Sequence, residues 1–522
     1  MSGTRAEQPR DECAARRTPP AVAARPAHAP GSWPFWFAGH RRGMNEPRIA
    51  LSSLMRKPLC AVALMLQALL VQPTATADEV DRHVEAQMRQ LHIPGVALAV
   101  VHGGRTVKAQ GYGFADLEMQ VPVTPGTVFE IGSNTKQFTA ALVMMLVEEG
   151  TIRLDDTLAR HLPDAPAAWR GITIRQLLSH TSGIQNHVAL PGFMGRFTTS
   201  ILRETSPGRD ELLEMFFELP LEFAAGETWA YDNTGYYLLG IIAERASGRP
   251  FWELVEERLF APLGMNATRN TDPWPVIPNR ASGYEWLGDR FENRPVLAPF
   301  IAFSAGALQS TVEDLAKWDA ALSSERVLTR ASLDAMWTPV RTNDGTAASI
   351  DYGLGWFIDS YNGHRITLHS GGTPGFSSAI YRFRDDALTV IVLTNHADRI
   401  VDHLAIDIAG MYVPALRRPE RGVDPDPSLT QRHQRVLSEL ANGRYDPSAF
   451  APAMATFLGT TTGRGLWQWL AYHGPLESLA WSSSEVVGGL EVLRYRALIG
   501  GNPYWLSVKT TADGRIAQIT WF

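Results

Sequence analysis

The sequence predicts an α+β protein: an antiparallel sheet flanked by helices, a large helical insertion, and a smaller α+β module behind it. Three observations predict it. Strand-like runs stand at both ends of the central region, at 96–101 and 107–111 early and at 366–368, 378–382 and 388–393 late. Helical periodicity fills the stretch between them, from about Thr135 to Lys317. After a polar, proline-broken stretch at 416–428, a second and shorter set of helices followed by strands closes the chain.

Each element has a local reason. Residues 96–101 and 107–111 make a hairpin turning at Gly103 and Gly104. Over 135–149, Phe138, Ala141, Leu142, Met145 and Leu146 fall on a single helical stripe, and Gly150 sits where a C-terminal cap glycine belongs. Residues 173–179 form a short helix with Ile174, Leu177 and Leu178 on one side. Residues 234–246 form another, ending at Ser247 and Gly248, and 314–322 a third. Val390, Ile391 and Val392 are apolar enough for a central strand, and 402–411 reads as a closing helix. In the last module, 429–440 and 449–458 read as helices. Three strands follow. In 491–499, Leu493, Tyr495, Ala497 and Ile499 alternate with Arg494 and Arg496, and 504–510 and 515–522 flank the hairpin signal Asp513-Gly514. There is no internal repeat.

The bulk properties bound the function. A chain of 522 residues, 45% hydrophobic and 20% charged, is an ordinary globular composition with room for more than one domain. A net charge of -6, small for this length, gives no sign of nucleic-acid binding, which would need a basic patch. Residues 1–54 are rich in Arg, Pro and Ala and carry no apolar periodicity, as expected of a disordered leader or of a start assigned too early. Residues 55–77 read as a signal peptide. Arg56 and Lys57 provide the positive end, an apolar run reaches Val71, and Ala75-Thr76-Ala77 is a small-x-small cleavage site. The expectation is export to the periplasm or beyond, with the mature chain beginning near Asp78 and no stable transmembrane span. An uncleaved signal anchor is the alternative. Cys60 stands at the front of the apolar run, which argues against lipid modification. Cys13 and Cys60 are the only cysteines. The mature chain therefore has no thiol catalysis, disulfide or cysteine-bound metal, and its stability must come from its core.

The chemistry begins at Ser133-Asn134-Thr135-Lys136. A hydroxyl and an amine stand one helical turn apart at the head of an apolar helix. After residue 77 there are only four lysines, Lys108, Lys136, Lys317 and Lys509, in an otherwise arginine-biased chain. Lysine can lose its proton when buried and act as a base; arginine cannot. That suggests Ser133 as nucleophile and Lys136 as its activator. Alone the motif is weak: Ser133 as an N-cap and Lys136 as a solvated cation explain it more simply, although the helix dipole disfavours a cation there. Tyr231-Asp232-Asn233 lies on a loop entering a helix. Its tyrosine could share a proton with Ser133 and Lys136, and Asn233 could donate to a substrate carbonyl; the plain reading is a packed aromatic beside a capping asparagine. His369-Ser370-Gly371-Gly372 follows a strand, and its glycines let backbone approach a ligand. An edge NH there, with the NH of Ser133, could form an oxyanion hole; the plain reading is a glycine turn.

Taken in order, Ser133-x-x-Lys136, Tyr231-x-Asn233 and His369-x-Gly371 resemble the three motifs of the serine β-lactamase and penicillin-binding-protein-like superfamily. The similarity is greatest to its class C β-lactamase, DD-peptidase and esterase-like branch. Supporting segments are 177–183, 262–265, 304–307 and 352–356, and the resemblance covers roughly Val80 to Met411. It implies a β-lactamase/transpeptidase-like fold for a domain at 78–415, followed by a linker at 416–428. It also implies roles. Ser133 is acylated, Lys136 and Tyr231 handle the proton as a coupled pair, and Asn233, His369, Ser370 and Gly371 bind substrate. The backbone NH groups of Ser133 and Gly372 form the oxyanion hole. Two departures bear on substrate. Tyr231-Asp232-Asn233 stands in place of the class A Ser-Asp-Asn. His369-Ser370-Gly371 stands in place of the usual Lys-Thr-Gly, as in D-peptide hydrolases, and histidine is a weaker cation than lysine. Efficient β-lactam hydrolysis is therefore not expected.

The expected activity is an exported serine hydrolase acting on a D-amino-acid peptide of cell-wall type. A β-lactamase or carboxylesterase is the next reading, and a catalytically silent penicillin-binding or sensing protein is the reading from another class. No metal and no cofactor is expected, since the histidines lack ligand spacing. His180 is expected to be structural. The module at 429–522 resembles, by element order alone, the NTF2-like type, a helix-plus-curved-sheet spacer or oligomerisation unit without a catalytic role.

Overall fold

The computed structural model describes residues 78–190, 193, 208–295, 299–397, 400–418 and 422–521. The expected leader and signal segment lie outside them. The main sheet is antiparallel with seven strands. From one edge they run Val121–Pro122, Arg105–Asp116, Gly95–His102, Leu388–Thr394, Phe376–Phe383, His364–Thr373 and Phe357–Tyr361. First and last parts of the domain meet at its centre, where Leu98 pairs with Val392 and Ala99 with Ile391.

Both central strands are apolar throughout because both faces are covered. Val96, Leu98, Val100, Val390 and Val392 face a core shared with the helices Glu79–Leu91 and Ile400–Tyr412. Ala97, Ala99, Ile391 and Leu393 point the opposite way, into the larger core of the helical region. Successive side chains of a strand alternate in this way.

The helix Thr135–Glu148 is the hub of that larger core. One apolar stripe was expected. Instead nearly every side chain from Thr135 to Leu146 is buried, polar ones included. The polar ones are satisfied: Thr139 Oγ1 donates to Ser304 O at 2.6 Å, and Gln137 Oε1 accepts from Trp318 Nε1 at 2.9 Å. Gly150 adopts the left-handed conformation (φ +74°) that a helix end requires. The helices Ile174–Leu178 and Val312–Leu322 begin at Thr173 and Thr311, whose hydroxyls accept from the third residue on. No helix among the described residues is long and apolar enough to cross a membrane.

The last part of the chain carries one helix and one strand more than the sequence pattern reveals. The helices Pro427–Ala441, Pro452–Gly459 and Thr461–His473 precede a four-stranded antiparallel meander. Its strands are Leu476–Val487, Leu490–Ile499, Asn502–Thr510 and Ile516–Trp521. Gly463 and Gly465 mask the third helix, since glycine lowers helix propensity. Register shifts near Ser478 and Ser483 break the alternation of the first strand. Leu437, Phe457, Tyr495 and Val508 from this part share one apolar core with Phe223, Trp229 and Tyr352 from the main domain.

Candidate active site

Ser133 lies in a tight turn, Gly132–Asn134, that runs straight into the helix Thr135–Glu148. Gly132 has a φ of +50°, which glycine adopts without strain. The turn is pinned to the sheet. Asn134 Nδ2 donates to Ser378 Oγ at 2.7 Å, and Ser378 Oγ donates to Ile131 O at 2.8 Å. The strand His364–Thr373 passes so close that a Cβ on Gly371 would stand 2.0 Å from Ile131 O. One on Gly132 would stand 2.7 Å from the backbone N of Gly372. The run Gly371-Gly372 is thus extended strand, not a turn. Its inner edge pairs with Ser378 and Ser377. Its neighbour Phe357–Tyr361 pairs only with residues 364–368, so it does not cover the outer edge from His369 onward. A strand edge beside Ser133 offers backbone NH and C=O groups for an extended ligand.

Lys136 is fully buried, and its Nζ lies 3.2 Å from Ser133 Oγ, 2.7 Å from Asn233 Oδ1 and 2.7 Å from Ala305 O. Burial drives its pKa well below the ordinary lysine range, and the Asp232 carboxyl opposes that only in part. Its Nζ donates to Asn233 Oδ1 and Ala305 O and stands within hydrogen-bond reach of the Ser133 hydroxyl, to which a deprotonated amine can present its lone pair. The other three lysines after residue 77 all meet carboxylates: Lys108 at Asp78 and Asp81, Lys317 at Asp314, Lys509 at Asp351 and Asp359. Among the described residues Lys136 has no such ion pair.

Tyr231 and Asn233 flank Asp232, which is extended (φ -136°, ψ 135°), so both face the same side while Asp232 turns inward. Asp232, not Asn233, caps the helix Asn233–Ser247, accepting from Gly235 N. Burial raises its carboxyl from 3.8 to about 7. The ring of Tyr231 stands with its centroid 4.7 Å from Lys136 Nζ. Both ends of the Asn233 amide meet protein: Oδ1 accepts from Lys136, and Nδ2 donates to Asn186 Oδ1 at 3.2 Å. One Nδ2 hydrogen is left for a substrate carbonyl. Asn186 also accepts from the backbone N of Asn233, at 3.1 Å. No sequence motif marks Asn186; only the fold brings it here.

His369 lies beneath the site surface, 1% exposed. Its Nδ1 contacts Ser370 O at 2.6 Å and its Nε2 the Tyr352 hydroxyl at 3.1 Å. A carbonyl accepts only, so Nδ1 carries the proton and Nε2 accepts from Tyr352. Burial, then the nearby Lys136, holds its pKa well below the usual histidine range. Its ring is therefore neutral and packed, 5.1 Å from that of Phe357. His180 is structural. It takes a left-handed conformation (φ +59°), its ring packs against Tyr231, Tyr236 and Tyr352, and its Nδ1 accepts from Asp232 N at 3.2 Å. The fold thus gathers Ser133, Lys136, Tyr231, Asn233, Gly371 and Gly372 at one place, with His369 behind them.

Residues 80–413 match the family described as Beta-lactamase. A penicillin-binding protein of Bacillus subtilis (strain 168) is 34% identical over 316 residues, 58% of this chain and 68% of that protein. Among solved structures, a D-amino acid amidase from Ochrobactrum anthropi SV3 is similar with a TM-score of 0.55 at 25% identity. The match covers 64% of this chain and 97% of its own. The octameric penicillin-binding protein homologue from Pyrococcus abyssi shares the fold at 21% identity, with a TM-score of 0.58 over 83% of this chain and 96% of its own. Fold and relatives define a serine hydrolase of the kind that transfers acyl groups. The chain belongs to the beta-lactamase family.

Proposed function

We propose that this protein is an exported serine hydrolase that cleaves amide bonds of D-amino-acid peptides or amides through an acyl-enzyme on Ser133. The observation that carries the reading is the buried amine of Lys136 beside the Ser133 hydroxyl, with no ion pair among the described residues. Ser133 Oγ attacks the carbonyl carbon as its proton passes to Lys136 Nζ. The backbone NH groups of Ser133 and Gly372 hold the oxyanion. The C–N bond then breaks, and the proton reaches the leaving amine through the Lys136–Tyr231 pair. Water attacks the ester, its proton returns by the same route, and Ser133 Oγ leaves protonated. Asn233 and the edge at Ser370 and Gly371 hold the substrate backbone.

Two observations support the amide reading over a β-lactam. A neutral, buried His369 offers no fixed cation to the carboxylate that a Lys-Thr-Gly lysine would attract. A D-amino acid amidase is among the similar structures. Export rests on the segment 55–77. A fluorophosphonate or fluorescent penicillin is expected to label the wild type and not Ser133→Ala. Mature protein offered a D-amino-acid amide, a D-Ala-D-Ala peptide, a short p-nitrophenyl ester and a chromogenic cephalosporin is expected to favour the first two. Dominant cephalosporin turnover would reverse the substrate assignment, and no labelling by either probe would reverse the catalytic one.

A further inference from the structure

The family match ends at residue 413, yet the chain beyond it reaches the site. The helix Thr461–His473 starts beside the loop that bears Tyr231. Thr462 Oγ1 donates to the backbone carbonyl of Tyr231 itself, at 2.7 Å. Its neighbour Thr461 accepts from Gln185 Nε2 at 3.1 Å, and Gln185 precedes Asn186, the partner of Asn233. Two successive hydroxyls of one helix turn thus hold both flanks of the site. A little upstream, Thr228 Oγ1 donates to Ala453 O at 2.7 Å, and the rings of Trp229 and Phe457 lie 6.0 Å apart.

The inner side of the same loop is held differently. Ala230 N donates to His180 O at 3.0 Å and Asp232 N to His180 Nδ1 at 3.2 Å. The peptide between them presents its carbonyl outward, to Thr462. The plane of that peptide sets where the Tyr231 ring stands over Lys136 Nζ, and displacements of about 1 Å at a catalytic group can cost about a hundredfold in rate.

We infer that Thr462 is a positioning residue for the reaction, and that the C-terminal module is a working part of the active site rather than a spacer. The inference rests on the acyl-enzyme reading above. Through Thr462 the module holds the backbone of Tyr231, a residue of the proposed proton-handling pair.

The test uses the full chain with Thr462→Val, Thr462→Ala and Thr462→Ser. The first two remove the hydroxyl, one keeping the shape and one leaving room; the third keeps the hydroxyl. The rate of fluorophosphonate labelling of Ser133 is followed against pH, alongside thermal unfolding. Thr462→Val and Thr462→Ala are expected to label about fivefold more slowly or worse, as the loss of one hydrogen bond to the reacting arrangement predicts. Their pH profiles are expected to shift, since Tyr231 and Lys136 share a proton. Thr462→Ser is expected to stay within about twofold of wild type with an unshifted profile. Labelling of Thr462→Val and Thr462→Ala at the wild-type rate overturns the inference. So does equal slowing of all three variants, or slowing that merely follows a loss of folded protein. Wild-type protein that shows no Ser133-dependent labelling removes the acyl-enzyme reading and this inference with it, which separates the two failures.

Discussion

At the scale of single residues, the site turns on one proton. In the proposed reaction Lys136 is the base, a role that its burial and the lack of an ion-paired carboxylate among the described residues favour, since its neutral form is populated above its lowered pKa. Lys136→Arg puts a permanent cation there that cannot lose its proton to become a base, so kcat/KM is expected to fall by about 100- to 10,000-fold. Retained activity in that variant would assign the base elsewhere. Asp232 sets where the base titrates. Its negative charge favours the ammonium, so Asp232→Asn is expected to move the acid limb of kcat/KM to lower pH, while asparagine keeps the helix cap. An unmoved limb would show that Lys136 does not feel Asp232. The same variant is expected to alter the pH dependence of folding. The carboxyl of Asp232 is raised from 3.8 to about 7 by burial, so its contribution is full below its unfolded value and lost as pH rises through about 7. Urea denaturation across that window would show the slope in wild type and its loss in the variant.

At the scale of elements, one close approach makes the site: the glycine strand against the Ser133 turn. Gly371→Ala adds a Cβ 2.0 Å from Ile131 O and 2.8 Å from Ser378 Oγ. Backbone cannot yield there without moving Ser133. The variant is expected to lose about 1–3 kcal/mol of stability and most of its Ser133 labelling. Full labelling with normal stability would mean that the strand can stand further off than it does. Tyr352 plays a quieter part. Its hydroxyl is the donor that satisfies His369 Nε2, and Tyr352→Phe leaves that buried nitrogen unmet. A loss of about 1–3 kcal/mol is expected in denaturant titration, and an unchanged midpoint would show that another donor replaces it.

At the scale of the molecule, the two sets of elements meet through a shared core and a part-buried ion cluster. Lys509, in the terminal sheet, lies 2.9 Å from Asp351 and 3.5 Å from Asp359 of the main domain. Arg494 Nη2 donates to Ser360 O at 2.8 Å across the same seam. The described residues from Asp78 onward hold together as one compact unit. Calorimetry on the wild type is expected to show one cooperative transition, and two resolved transitions would show that the module unfolds by itself. Lys509→Met leaves the two aspartates facing each other and is expected to cost about 1–3 kcal/mol.

The chain itself determined the elements and the chemical vocabulary of the site. Ser133, Lys136, Tyr231, Asn233 and Gly371 stand in motifs legible because helix starts, strand edges and loop entries have local signatures in caps, glycines and apolar periodicity. The central strands were legible for the same reason: unbroken apolar runs need two covered faces. Tertiary structure alone decided what each group is. That the pKa of Lys136 is lowered, His369 is a buried acceptor and Asp232 a high-pKa carboxyl follows from desolvation and from partners far along the chain, and neither is encoded by neighbours in sequence. Asn186 became visible only when folding brought it 47 residues along the chain to Asn233, and Thr462 when folding brought it 231 residues back to Tyr231. Local pattern carries the backbone's preferences; burial and long-range contact set the protonation and placement on which the chemistry depends.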